Sequence, residues 1–254
     1  MILIDLSGKT AVVTGATGEL GTEMVRTLAR AGANVAICYH LNEGKAEKLA
    51  DEARALGVKA LPIRADVTKQ DSVLKMRDGV SAQLGAADVI VNNAVSQYIW
   101  TEVLDQSAED YESQFRTCVL HNVFMAKAFV PAMIERRWGR VIGINTECAM
   151  QCFKSQSAYI SGKRGMDGVL RVLAREVGGH GITVNQVAPG WTISENRPDG
   201  GTEGEISYTE NVPLQRRGNA QEIANVVAFL ASDLASFISG AYIPVCGGNV
   251  MPTI

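Results

Sequence analysis

The chain has 254 residues, 46% of them apolar and 20% charged, with a formal net charge of −3. A chain of that size and composition buries most of its apolar surface, which excludes a disordered segment. The near-neutral charge balance gives no electrostatic footprint for nucleic acid or an anionic membrane.

From the N-terminus, residues 1–9 are too short and polar for a signal peptide, and no apolar run reaches a membrane span. Short β-branched runs predict strands at 10–14, 34–39, 59–64, 88–91, 140–145, 183–187 and 241–245. Helical patterns fill the gaps at 19–31, 43–56, 69–84, 108–136, 157–177 and 220–231, with Gly32 and Gly57 as C-caps of the first two. Alternation of this kind predicts an α/β chain: a single-domain, doubly wound (Rossmann) parallel sheet of about seven strands, with helices on both faces. No repeat, low-complexity segment or linker divides it, so one domain is expected over 1–254. The stretch 191–211 breaks the rhythm with Gly, Glu and Asp and no apolar periodicity; it reads as a loop forming a lid over a substrate. His40, His121 and His180 are scattered and suggest no metal. Five cysteines with no CxxC pair read as reduced thiols, placing the protein in the cytoplasm, and Cys148 and Cys152 read as small fillers in a loop.

The first strand runs into Thr14-Gly15-Ala16-Thr17-Gly18-Glu19-Leu20-Gly21, which opens a helix. Glycines there let the backbone turn sharply and approach a pyrophosphate, and the helix end offers N–H groups to it. The second strand ends Cys38-Tyr39-His40-Leu41-Asn42 with no carboxylate, and Lys45 follows. That leaves room for a 2′-phosphate and favours NADP over NAD, although no arginine is in the segment to grip it. Further on, Tyr159 and Lys163 stand four residues apart, one turn of a helix. A phenol titrating near 10 is a weak base at neutral pH, and a neighbouring ammonium and an oxidised nicotinamide would both favour its phenolate.

Taken in order, these landmarks resemble the classical short-chain dehydrogenase/reductase family over essentially the whole chain. They are Thr14-Gly15…Gly21, Ala65-Asp66-Val67, Asn92-Asn93-Ala94, Thr146, Tyr159…Lys163, Asn185…Ala188-Pro189-Gly190 and Gly240…Gly247-Gly248. The resemblance implies hydride transfer between NAD(P) and a carbonyl or secondary-alcohol carbon, with Tyr159 as acid/base. Gly15, Thr17, Gly18, Leu20 and Gly21 would hold the pyrophosphate, with Tyr39, His40 and Asn42 at the adenosine ribose. Asp66 would hold the adenine beside the Val67 backbone, and Asn93 and Ala94 would line the ribose. Lys163 would bind the nicotinamide ribose and lower the Tyr159 pKa, and Pro189, Gly190, Thr192 and Ser194 would hold the carboxamide. Thr146 takes the place of the family's serine, whose hydroxyl bonds the substrate oxygen. The family also implies a homotetramer, or a dimer.

Four positions depart from the family pattern: Glu19, expected to turn to solvent; Val95; Cys246; and Cys118, which stands where the family has a catalytic asparagine. That asparagine joins a water relay to the lysine through its main-chain carbonyl, which cysteine retains; Asn122, a turn later, is the other candidate, its plainer role a buried packing contact. The departures open a second reading, a non-catalytic dinucleotide-binding regulatory protein. A third, an extended sugar-nucleotide epimerase, follows from the Gly15/Gly18/Gly21 spacing but needs a larger C-terminal region. Tyr98, Trp100, Gln151, Gln156 and Trp191 are expected to join Thr146 and Tyr159 in binding a small, polar substrate such as a sugar, polyol or hydroxy acid, with a keto-acyl compound also open.

Overall fold

The computed structural model describes residues 3–193 and 200–252. The strands are β1 (Thr10–Val13), β2 (Asn34–Tyr39), β3 (Ala60–Arg64), β4 (Val89–Asn92), β5 (Gly139–Ile144), β6 (Ile182–Pro189), the short β7 (Thr192–Ile193) and β8 (Gly218–Asn219), and β9 (Tyr242–Val245). Seven of them form one parallel sheet in the order β3-β2-β1-β4-β5-β6-β9, while β7 and β8 pair with each other. The helices are α1 (Glu19–Arg30), α2 (Glu43–Ala55), α3 (Gln70–Leu84), α4 (Ala108–Gln114), α5 (His121–Arg136), α6 (Cys148–Gln151), α7 (Ser157–Val177), α8 (Glu203–Asn211) and α9 (Ala220–Ala231).

Alternate residues of one strand feed opposite cores, as a parallel sheet covered on both faces requires. Ala11 and Val13 pack with α1, α2 and α9, while Val12 packs with α3, α5 and α7. Strand order reverses between β1 and β4, the switch point at whose carboxyl ends open α/β sheets form a ligand crevice.

Three expectations are corrected. The predicted helix 108–136 is interrupted by a π-helical turn over Phe115–Leu120. That whole stretch is long and apolar enough to span a membrane by composition, against the reading of the sequence, yet 56% of its most apolar window is buried inside the fold. The 191–211 stretch is no plain loop, because α8 starts there on a capping box between Thr202 and Glu205. Cys148 begins α6 rather than filling a loop, and exposed Cys152 ends it in the left-handed region at φ 56°.

Candidate active site

The crevice begins with a loop that has room only for glycine. Gly15 sits at φ 60°, and a Cβ there would lie 2.9 Å from Ala94 Cα. A Cβ on Gly21 would overlap the Gly15 carbonyl oxygen and sit 2.8 Å from Ala16 Cα. The Thr14 hydroxyl accepts from the main-chain N–H of Asn93 (2.9 Å) and Ala94 (3.2 Å), tying β1 to the end of β4. Asn93 donates its side-chain amide to the carbonyls of Thr14 and Gly15, both at 3.1 Å, and so braces the loop. Gly18 is the N-cap of α1 and no side chain caps that helix, which leaves its positive end to a ligand. Thr17 and Leu20 flank this end, Leu20 packed against the core and Glu19 half-buried rather than turned fully to solvent. A phosphate-sized anion on the N–H groups of this loop fits what a Cβ would otherwise fill.

At the ends of β2 and β3, His40 and Leu41 are exposed, and the Asn42 side chain caps α2 on Lys45 N (3.1 Å). Register pairs Tyr39 with Arg64, and Arg64 Nε donates to the His40 carbonyl at 3.1 Å. Sequence reading missed this arginine because it lies on the next strand, although aligning the two predicted strands in parallel would have found it. The Tyr39 hydroxyl is engaged by the Glu43 carboxylate. Asp66 lies half-buried beside Val67; burial pushes its carboxyl up, but Thr68 and Lys69 outweigh that and hold it below the usual range.

The chemical end of the crevice joins β5 to α7. Tyr159 is only partly exposed, with Trp100 stacked over its ring at 5.9 Å between centroids and 24° between planes. The Tyr98 hydroxyl accepts the Tyr159 N–H at 2.7 Å in the first turn of α7. Lys163 is buried; its ammonium donates to the Ile144 carbonyl at 2.6 Å and lies 5.7 Å from the Tyr159 ring centroid. Burial pushes the Tyr159 phenol up, with the Thr146 hydroxyl pulling the other way, and burial pushes Lys163 down. Both shifts follow first from burial, which disfavours the charged form of either group. Thr146 is oriented by Asn145, whose side chain accepts the Thr146 N–H at 2.9 Å and donates to the Lys163 carbonyl at 3.2 Å. Nothing local to Asn145 marks that role in the sequence.

Behind this pair, Cys118 is buried in the π-helical turn with its thiol 3.8 Å from Gln114 Oε1. Its carbonyl accepts the Asn122 side-chain amide at 2.6 Å, and Asn122 in turn accepts from Asn92 at 2.7 Å. Asn122 is thus the packing contact of the two alternatives.

Over the crevice, Pro189 ends β6, and a Cβ on Gly190 would lie 2.5 Å from Tyr208 Oη and 3.1 Å from Cys246 Cα. Tyr208 accepts from Trp191 N (2.9 Å) and donates to Glu147 (2.8 Å), whose other oxygen accepts from Asn249 (3.0 Å). Burial raises both Glu147 and Tyr208. Arg217 pairs with Glu205 out of solvent and donates to the Thr192 carbonyl at 3.0 Å. Ser194, with the lid residues Glu195, Arg197 and Asp199, lies outside the described residues. Gln151 closes α6, and Gln156 precedes α7 with its Oε1 buried and without a hydrogen-bond partner among the described residues.

A protein-family profile described as Enoyl-(Acyl carrier protein) reductase matches residues 15–249. The chain is 35% identical to a 3-oxoacyl-[acyl-carrier-protein] reductase FabG of Staphylococcus epidermidis, across 96% of this chain and 99% of that protein. The same name belongs to a Pseudomonas aeruginosa relative, also 35% identical, across 98% of this chain and 100% of the other. Among solved structures, a double mutant of a Serratia marcescens short-chain dehydrogenase/reductase superimposes with a TM-score of 0.90 at 29% identity, covering 96% of this chain and 98% of that one. A short-chain type dehydrogenase/reductase from Mycobacterium marinum gives 0.89 at 30% identity, covering 98% of each chain.

Proposed function

Since the chain belongs to the short-chain dehydrogenase/reductase family, we propose that it acts chiefly as a reductase, with Tyr159 delivering the proton to a substrate carbonyl oxygen. It is an NAD(P)-dependent oxidoreductase of C=O and CH–OH groups. What supports the reductive reading is the convergence of Tyr159, Thr146 and Lys163, together with the reductase names of the relatives. The non-catalytic reading has no support in that arrangement.

When bound, the nicotinamide supplies the hydride. The residues do the rest. The loop from Gly15 to Gly21 and the end of α1 would hold the diphosphate, and Gly190 and Thr192 the carboxamide. The Thr146 hydroxyl would donate to the substrate oxygen, and Tyr159 would give that oxygen its proton as charge develops there. Lys163, anchored on Ile144, would orient the ribose and stabilise the phenolate that remains. Trp100 would shield the reacting oxygen from water.

NADP is the proposed cofactor over NAD, supported by exposed His40 and by Arg64 beside it. The substrate is proposed as a small polar carbonyl compound, because the Gln156 Oε1 acceptor awaits a donor. A 3-oxoacyl thioester is the second reading, favoured by the names of the relatives. We further read the protein as one soluble cytoplasmic domain, assembled as a homotetramer or dimer. A turnover panel of acetoacetyl-coenzyme A, ketoses, polyols and hydroxy acids with each cofactor tests all of this. NADPH oxidation with one carbonyl class is expected, and an equal or greater rate with NADH would overturn the cofactor assignment.

A further inference from the structure

A cavity of about 400 Å³ is bounded by Asn145 after β5, Tyr242 at the start of β9 and one face of α7, and neither Tyr159 nor Thr146 lines it. That volume suits a small molecule. Arg164, Asp167 and Arg171 stand at i, i+3 and i+7, so α7 presents two guanidiniums and one carboxylate to the space. Both guanidiniums are tethered. Arg164 donates from Nε to the Ala149 carbonyl at 2.7 Å and from Nη2 to Cys152 Sγ at 3.2 Å, and Arg171 Nε donates to Asp167 Oδ1 at 2.7 Å. Arg164 Nη1 and both terminal nitrogens of Arg171 make no hydrogen bond among the described residues. One positive charge is therefore left over, with donors in the planar fork that matches a carboxylate or a phosphate. Met150 and Pro252 add an apolar wall for the carbon part of such a molecule.

The same lining holds the main chain of Thr146 on both sides. Asn145 Oδ1 accepts its N–H at 2.9 Å, and the Tyr242 hydroxyl donates to its carbonyl. From Asn145 the contacts run outward: its amide donates to Gln186 Oε1 at 2.7 Å, and Gln186 Nε2 donates to Asp167 Oδ1 at 2.7 Å. That is the oxygen that Arg171 also holds. Asn145 and Gln186 are buried, so a change in one bond of this chain is passed on to the next instead of being absorbed by bulk water.

We propose that this cavity is an effector site for a small organic oxyanion, a carboxylate or a phosphate ester, whose occupancy Asp167, Gln186 and Asn145 carry to Thr146. An anion on the Arg171 fork competes with Asp167 for that guanidinium, and the carboxylate it loosens shifts Gln186, Asn145 and the Thr146 N–H in turn. The consequence for turnover rests on the reading that Thr146 bonds the substrate oxygen; binding and the movement of Thr146 do not.

The test uses protein saturated with NADP⁺, so that the glycine cradle is filled, at constant ionic strength. Butyrate and inorganic phosphate are titrated by calorimetry. The Thr146 N–H is followed by NMR of protein carrying nitrogen-labelled threonine, its signal identified by its loss in Thr146→Val. One of the two anions should saturate and shift the Thr146 signal along the same curve, and the tighter binder separates carboxylate from phosphate. Its affinity should fall at least about tenfold in Arg171→Gln and in Arg164→Gln. Gln186→Leu should keep the binding and lose most of the Thr146 shift. No saturable binding by either anion, or affinity unchanged in both arginine variants, overturns the site. A Thr146 signal that stays still while the anion binds, or that moves equally in Gln186→Leu, overturns the coupling. If both hold, the substrate KM should change at least about twofold on saturation with the anion; an unchanged KM would instead sink the role of Thr146 at the substrate oxygen.

Discussion

The glycine cradle between β1 and α1 and the cap over Gly190 both hold backbone in place at the proposed cofactor site, but they do it by opposite means. The cradle works by leaving side chains out: Gly15 and Gly21 let backbone meet backbone, and Thr14 locks the result to β4. The cap works by side chains reaching across the chain. Glu147, Tyr208 and Asn249 meet under the Pro189–Trp191 turn, and Arg217 meets Glu205 of α8. A device made of excluded volume tolerates nothing, whereas one made of separate contacts loses them one at a time.

Four substitutions bear on that contrast. Gly21→Ala should have the largest effect, because its methyl would meet backbone that cannot move aside; a loss of NADPH affinity of about a hundredfold or more, roughly 3 kcal/mol, is expected by fluorescence titration. Arg217→Ala removes the ion pair from Glu205, whose other oxygen Thr202 still holds, and should lower the urea midpoint measurably. Tyr208→Phe leaves Trp191 N and one Glu147 oxygen unpaired, and should cost about 1–2 kcal/mol while raising the cofactor KM several-fold. If Tyr208→Phe matched Gly21→Ala in cofactor affinity, the contrast between the two devices would collapse.

The smallest effect is one of pH. Burial raises the Glu147 carboxyl above its ordinary 4.5, although Tyr208 and Asn249 oppose the shift. The folded protein therefore binds that proton more tightly than the unfolded chain does. Stability relative to Glu147→Gln should fall as pH climbs from about 4.5 through the raised value. Melting temperatures of the two proteins across that window would show it; a constant difference would mean the carboxylate costs nothing to bury.

The same contrast governs what could be read from the residues alone. All seven sheet strands and the cradle were legible because each depends on local pattern: apolar runs, a Gly-rich turn, a following helix. The Tyr159–Lys163 spacing was legible as well. Arg64 and Glu147 were not, since each acts on a residue brought near only by the fold. The helix α8 was missed for a different reason. Its T-x-x-E capping signature at Thr202 and Glu205 was present, but no apolar stripe accompanied it.

The most direct test of the whole account is single-turnover oxidation of bound NADPH by Tyr159→Phe on the best substrate from the panel. Cofactor affinity is expected to stay within about twofold of wild type while the rate falls at least about a thousandfold. A rate within tenfold of wild type would contradict the claim that this phenol supplies the proton.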